Sequence, residues 1–377
     1  MSSKGFRSTV SLAVRAPVAR SIEHPAAHLW SRFGLFLLAA TIVLPSASSL
    51  HAQRQVPARA VPLASAAPRD DGQWTMPAKN YASTRYSALG QINATNVSRL
   101  QVAFTFSTGV NRGHEASPLV VGNTMYVVAP FPNKLFALDL TKPGAPAKWV
   151  YSPKPAPAAQ GVACCDVVNR GAVYWRGRII YNVLDGYTVA VDAASGKQIW
   201  RTKVAVINRG ETVTMAPLIV KDKVMVGVSG GEFGVRGWLL ALNAANGSLA
   251  WKAYHTGPDK DVLIGPGTRM FYPSDRGKDL GVKSWPPDAW KIGGGTMWGW
   301  LSYDPDLDLI YYGTANPGPW NPNQRPGTNK WTNTLFARDP DTGEARWAYQ
   351  IIPHDLFDHD TVNESILLDM PVRGRMR

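Results

Sequence analysis

Four stretches of the chain share one pattern of apolar and polar positions. Each has an apolar run, an Ala-Leu-Asp-like step, a turn containing Gly, and a second run that carries Trp. They read KLFALDLTKPGAPAKWVY (134–151), YTVAVDAASGKQIWRTKV (187–204), WLLALNAANGSLAWKAYH (238–255) and TLFARDPDTGEARWAYQI (334–351). Trp149, Trp200, Trp251 and Trp347 are spaced by 51, 51 and 96 residues, the last being close to two periods. A period near 50 with several short strands per unit is the signature of a β-propeller blade. Ala-Ser-Gly, Ala-Asn-Gly and Asp-Thr-Gly each put Gly where a hairpin needs positive φ, and the repeated Trp residues are expected to pack between blades. In the long gap, WLSYDPDLDLIYYGTANPGPW (300–320) alternates well enough to predict the inner strands of a further blade, and a weaker copy is expected near Leu100 to Thr108. The expected architecture is therefore all-β, with about 325 residues after the leader making five or six blades. Pro371 to Arg377 offers no final strand, so the chain is expected to stop in mid-blade.

Composition agrees with this pattern. At 45% apolar and 18% charged residues the chain is neither disordered nor collagen-like, and 34 Gly, 29 Pro and 14 Trp favour many turns and flat packing surfaces. Residues 1–52 hold five Lys/Arg and one Glu, which accounts for four units of the formal +13. Beyond them there is no Lys/Arg run, so a moderately basic face is expected to meet an acidic partner and not nucleic acid.

The leader also changes how the rest is read. A basic lead precedes the apolar run Phe33 to Leu44, and small residues and Leu50-His51-Ala52 follow. Twelve residues span roughly 18 Å as a helix, short of the roughly 20 residues a bilayer requires. The order is that of a secretory signal peptide, residues 1–52, cleaved after Ala52 and leaving 53–377 as one propeller domain in the periplasm. In an oxidising compartment Cys164 and Cys165, the only cysteines, can pair only with each other or with another molecule.

Three clusters stand outside the repeat. Ser229-Gly230-Gly231-Glu232 follows the strand-like run 223–228. Gly293-Gly294-Gly295-Thr296-Met297-Trp298 lets backbone approach a flat group while Trp298 offers a stacking face. His354-Asp355-Leu356-Phe357-Asp358-His359-Asp360 carries three acids. Asp358 and Asp360 are two apart, so on extended backbone they share a side and repel unless a cation lies between them. With Glu232 and Asn316 they form an all-oxygen donor set for a hard cation.

Taken together, ACCDVVNRG (163–171), GGGTMWGW (293–300), GTANPGPWNPNQRPGTNKW (313–331) and PHDLFDHDTVNE (353–364) resemble the pyrroloquinoline-quinone-dependent alcohol dehydrogenases, specifically the methanol-dehydrogenase large subunits, over residues 72–377. The resemblance implies a propeller of the eight-bladed quinoprotein type, of which the chain supplies about the first five blades. It implies a Cys164–Cys165 disulfide ring covering one face of the quinone, with the Trp298 indole on the other. It places Glu115, Arg170, Thr214, Ser229, Gly230, Gly231 and Thr296 among the quinone contacts, Glu232, Asn316, Asp358 and Asp360 on the metal, and Asp358 as the base that takes the alcohol proton. The expected substrate is a small primary alcohol and the expected electron acceptor a cytochrome c; a homodimer is compatible with both.

The metal is read from Asp360. The family's calcium enzymes carry a small or neutral residue there, and its lanthanide enzymes an Asp, because a trivalent ion favours one more anionic oxygen. A lanthanide is therefore expected, with Ca²⁺ as the alternative. Thr328 and Phe357 depart from the family's usual Asp and Trp, and the family's active-site Arg would fall just past Arg377. The rival readings are an inert fragment and a non-enzymatic propeller scaffold of the same repeat; the scaffold has no need of adjacent cysteines or paired acids.

Overall fold

The computed structural model describes residues 70–376, so the expected signal peptide lies outside the described residues. Among those residues no helix is long and apolar enough to cross a membrane.

Each copy of the repeat forms the outer two strands of a four-stranded antiparallel meander. The first blade comprises Leu119–Val121, Thr124–Val128, Leu135–Asp139 and Ala147–Tyr151. The second comprises Ala172–Trp175, Arg178–Val183, Tyr187–Asp192 and Gln198–Lys203. The third comprises Leu218–Val220, Lys223–Gly227, Trp238–Asn243 and Leu249–Tyr254. The fourth comprises Ser302–Asp304, Leu309–Gly313, Thr334–Arg338 and Ala345–Gln350, with Arg269–Met270 added parallel to its outer edge.

One local device recurs in all four. Ala137, Ala190, Ala241 and Ala337 lie directly opposite Trp149, Trp200, Trp251 and Trp347, and the register shifts immediately after each pair. The small Ala leaves room for the indole, and the bulge that follows increases the local twist. The Asp or Asn that follows turns the chain: Asp139, Asp192, Asn243 and Asp339 each accept a backbone N–H from two or three residues ahead. Trp149, Trp200 and Trp251 reach into the next blade and donate their indole N–H to the carbonyls of Ala193, Ala244 and Pro340 at 3.3, 3.1 and 2.9 Å. The hairpin glycines of those next blades, Gly196, Gly247 and Gly343, are the surfaces that the rings cover. Packing between blades is thus the role of these three tryptophans.

Several expectations need correction. Residues 300–320 do supply inner strands, but they belong to the same sheet as 334–351, so no further blade occupies the gap. The intervening residues form the short helices Asp259–Val262 and Leu280–Lys283, several 3-10 turns and the edge strand Arg269–Met270. Among the described residues four complete blades therefore stand, where about five were expected of the chain. Leu100 to Thr108 forms no strand; Phe104 and Phe106 pack as a pair against the first blade. At the other end Pro371–Val372 and Arg375–Met376 pair as a hairpin, where no strand was expected. Its turn is made by Arg373 and Gly374, both at positive φ. The core runs as one buried cluster through the second, third and fourth blades, with a second cluster between the first and second.

Candidate active site

In an antiparallel meander the entry to the first strand and the exit from the second lie at the same end of the sheet. The chemistry-bearing residues occupy those connections. Glu115 precedes the first strand of blade one, Cys164, Cys165 and Arg170 that of blade two, Thr214 that of blade three, and Trp298 that of blade four. Ser229 to Glu232 follow the second strand of blade three, and Asn316 that of blade four.

Backbone hydrogen bonds stitch these loops together. Arg170 N–H donates to Thr214 O at 3.0 Å, Ser229 N–H to Thr212 O at 2.8 Å, Met297 N–H to Val228 O at 3.0 Å, and Gly295 N–H to Asn316 O at 2.9 Å. Approach this close needs glycine in two places. Gly230 lies at φ +110°, where a Cβ would collide with the Gly210 carbonyl, and a Cβ on Gly294 would stand 2.7 Å from Asn316 O.

Between the loops lies a cavity of about 260 Å³. Cys164 and Cys165, joined to each other by a disulfide, stand on its wall. Their loop is held at its base, where Ala156 N–H donates to Asp185 Oδ2 at 3.0 Å and the Arg201 guanidinium to Pro153 O at 3.0 Å. Arg170, Thr214, Ser229, Gly230, Glu232, Trp298, Asp358 and Asp360 complete the expected part of the lining. Glu115, Gly231, Thr296 and Asn316 do not line it but stand directly behind. Glu115 Oε2 is 3.1 Å from Arg170 Nη2, a Cβ on Gly231 would lie 3.5 Å from Thr296 Oγ1, and Asn316 N–H reaches Asp360 Oδ1 at 3.4 Å.

The polar groups are ordered by their partners. Arg170 Nη1 donates to Thr214 Oγ1 at 3.0 Å, which shares a hydrogen bond of 2.8 Å with Ser229 Oγ. Burial draws the Arg170 pKa down, and Glu115 pulls it partly back. Asp358 and Asp360 are exposed by surface area yet walled on several sides. Loss of water and the nearby Asp355 push Asp358 up, against the Asn316 amide. Asp360 is pushed up to about 6, first by loss of water and then by Asp358, Glu232 and Asp355, with the Asn316 N–H opposing. No three His, Cys, Asp or Glu side chains among the described residues are already drawn into a closed cage.

Sequence reasoning passed over Trp320, Asp166 and Thr212, all on the cavity wall. Trp320 carried a signal. It falls off the repeat register inside GPWNP, and it is 58% exposed where the docking tryptophans are covered.

Comparison with known proteins places the chain in a family. Residues 74–377 match the PQQ family model for the glucose/ethanol/alcohol dehydrogenase β-propeller domain. Over 308 residues the chain is 56% identical to the lanthanide-dependent methanol dehydrogenase of Methylacidiphilum fumariolicum (strain SolV), covering 81% of this chain and 50% of that protein. It is 51% identical to methanol dehydrogenase [cytochrome c] subunit 1 of Methylobacterium organophilum, covering 78% and 48%. A solved europium-containing methanol dehydrogenase superposes with a TM-score of 0.79 at 56% identity, covering 81% and 53%. The chain spans about half the length of the curated relatives it matches.

Proposed function

The chain belongs to the family of PQQ-dependent glucose/ethanol/alcohol dehydrogenases, within its β-propeller domain, and on that premise we propose that it forms the quinone- and metal-holding part of a periplasmic dehydrogenase. That enzyme oxidises a small primary alcohol, of the methanol or ethanol class, to the aldehyde and passes electrons to a cytochrome c. The observation that carries the reading is a single cavity on whose wall a disulfide of neighbouring cysteines, the Trp298 indole, the Arg170 guanidinium and the carboxylates of Glu232, Asp358 and Asp360 meet.

The residues present fit both groups. A flat quinone bearing carboxylates suits a cavity with the Trp298 ring, the Cys164–Cys165 disulfide, the Arg170 cation and the hydroxyls of Thr214 and Ser229. Glu115, Gly231 and Thr296 support that set from behind. Glu232, Asp358 and Asp360 repel one another across the cavity, which is part of why Asp360 holds its proton up to about 6. A cation among these oxygens and the Asn316 amide relieves that repulsion. Three carboxylates favour a trivalent lanthanide over Ca²⁺, and Asp360 is the one that tips the balance.

When bound, the quinone accepts the hydride of the alcohol carbon and the metal ion acts as a Lewis acid beside it. Asp358 takes the proton of the alcohol hydroxyl, and a carboxyl whose pKa is raised is a stronger base once ionised. Arg170, braced by Glu115 and Thr214, fixes the orientation of the anionic ligand.

The test is titration of the chain with pyrroloquinoline quinone in La³⁺, in Ca²⁺ and in chelator, following tryptophan fluorescence and quinone absorbance. Saturable binding that either metal tightens is expected, with La³⁺ the stronger, since two ligands that favour one arrangement strengthen each other. Absence of saturable binding in both metals overturns the reading. In dye-linked oxidation of methanol and ethanol by the whole enzyme, Asp358→Asn is expected to abolish turnover.

A further inference from the structure

We infer that Asp355 is the positioning residue for Asp358, and that Arg325 joins it to the loop carrying Asn316. The inference rests on the reading of Asp358 as base and metal ligand. Asp358 sits at φ +61°, a left-handed conformation that an Asp tolerates but does not prefer, so something must hold it there. Its two neighbours supply the hold. Phe357 N–H donates to Asp355 Oδ1 at 3.0 Å and His359 N–H donates to Asp355 Oδ2 at 2.7 Å. The His359 ring adds a third bond, from Nδ1 to Oδ1 at 2.8 Å. One carboxylate therefore grips the backbone on both sides of Asp358. Asp355 is 1% exposed, whereas residues 356 to 360 are all exposed, so the clamp ties an exposed loop to a buried carboxylate.

The clamp is itself bolted. Arg325, also 1% exposed, donates from Nη2 to Asp355 O at 2.6 Å and to Trp320 O at 3.2 Å. It donates from Nε to Pro319 O at 2.6 Å and from Nη1 to Asn329 Oδ1 at 2.9 Å. A guanidinium only donates, in a rigid planar fork, so its acceptors are held at fixed angles to one another. The backbone acceptors belong to the 316–320 loop and to the Asp355 loop, and Asn329 takes the remaining donor. The distance between the Asn316 amide and the Asp358 carboxylate is thus set by two buried side chains, neither of which lines the cavity.

Residue-resolved hydrogen exchange on the native chain is the first test and needs no ligand. Phe357 and His359 amides should exchange at least about tenfold more slowly than those of Leu356 and Asp358. Equal rates for all four overturn the clamp. The second test is luminescence titration with Tb³⁺. Asp355→Asn replaces one accepting oxygen with a donor and should weaken Tb³⁺ at least about tenfold and admit additional bound water, read from decay in H₂O and D₂O. Arg325→Lys, which loses the fork, should do the same more mildly. Tb³⁺ affinity within twofold of wild type in a folded Asp355→Asn protein overturns the positioning role, whatever its melting temperature. If the wild-type chain takes up no Tb³⁺, the metal reading fails, and the exchange rates still decide for or against the clamp.

Discussion

The Arg170 guanidinium lies 4.8 Å from the centroid of the Trp298 ring. The same guanidinium pairs with Glu115 and donates to Thr214, so the Trp298 ring is met by a cation held from two other blades. Arg170→Lys keeps the charge but loses the flat contact and the fork geometry. We expect it to weaken pyrroloquinoline quinone binding about tenfold, which is about 1.4 kcal/mol, as read by fluorescence titration, with thermal stability little changed. Binding equal to wild type removes Arg170 from the quinone site.

On the proposed reading, Asp360 supplies the oxygen that separates a trivalent from a divalent site. Asp360→Ala is expected to lower La³⁺ affinity by at least about tenfold while changing Ca²⁺ affinity much less. Isothermal titration with each ion on both proteins is the measurement. Equal losses for the two ions would contradict the role.

Free-thiol titration of unreduced, unfolded protein should find no thiol, and two after reduction, because Cys164 and Cys165 are bonded to each other and no other cysteine exists. Two reactive thiols before reduction would rule the bond out.

The interblade contacts predict a stability effect far from the site. A Cβ on Gly343, which lies at φ +76°, would stand 2.6 Å from the Trp251 ring. Gly343→Ala therefore combines overpacking with a disfavoured backbone conformation and should cost about 2–4 kcal/mol. Chemical denaturation measures it; a loss below 1 kcal/mol would mean that the ring moves aside.

His255 gives the protein a pH dependence. Its Nδ1 faces Gly295 O at 2.6 Å and its Nε2 faces the Tyr312 hydroxyl at 3.1 Å. Arg338 Nε donates to that same hydroxyl at 2.7 Å. Arg can only donate, so the hydroxyl proton goes to His255 Nε2, and Nδ1 carries the hydrogen donated to Gly295. Burial first, and Arg338 next, push the His255 pKa down to about 3. The unfolded chain takes up this proton near pH 6.5 and the folded chain does not. Stability from this residue is full above pH 6.5 and falls as pH drops toward 3, by up to about 1.4 kcal/mol per pH unit. His255→Asn keeps the Nδ1-side donor and should flatten the fall between pH 6 and 4 in denaturation midpoints.

Much of the blade was legible in the sequence because its signals are local. The Ala opposite each Trp, the Asp or Asn that turns the chain and the hairpin Gly all lie within 18 residues of one another in each copy. The gap of 96 residues was misread for the opposite reason. Alternation in 300–320 shows that strands form, but not which strand they pair with, and Tyr311 pairs with Ala337 across an intervening loop of twenty residues or more. The site divides in the same way. Cys164, Cys165, Trp298 and Asp358 stand in motifs that the resemblance singled out, and the fold brings all four to one cavity wall. Asp355 is, in the sequence, only one of three acids in a short run.

What the sequence determined by itself was the repeat and the propeller architecture, since these depend on side-chain type and short spacing, and it named the candidate residues for the chemistry. Tertiary structure alone decided how many sheets those strands make, which residues reach the cavity wall, and what holds Asp358 in place. Arg325 illustrates the physical reason. Its partners are backbone carbonyls at 319, 320 and 355, and every residue has a carbonyl. Only folding selects which of them converge on one buried guanidinium, because burial makes each unmet donor costly and so fixes the loops that satisfy it.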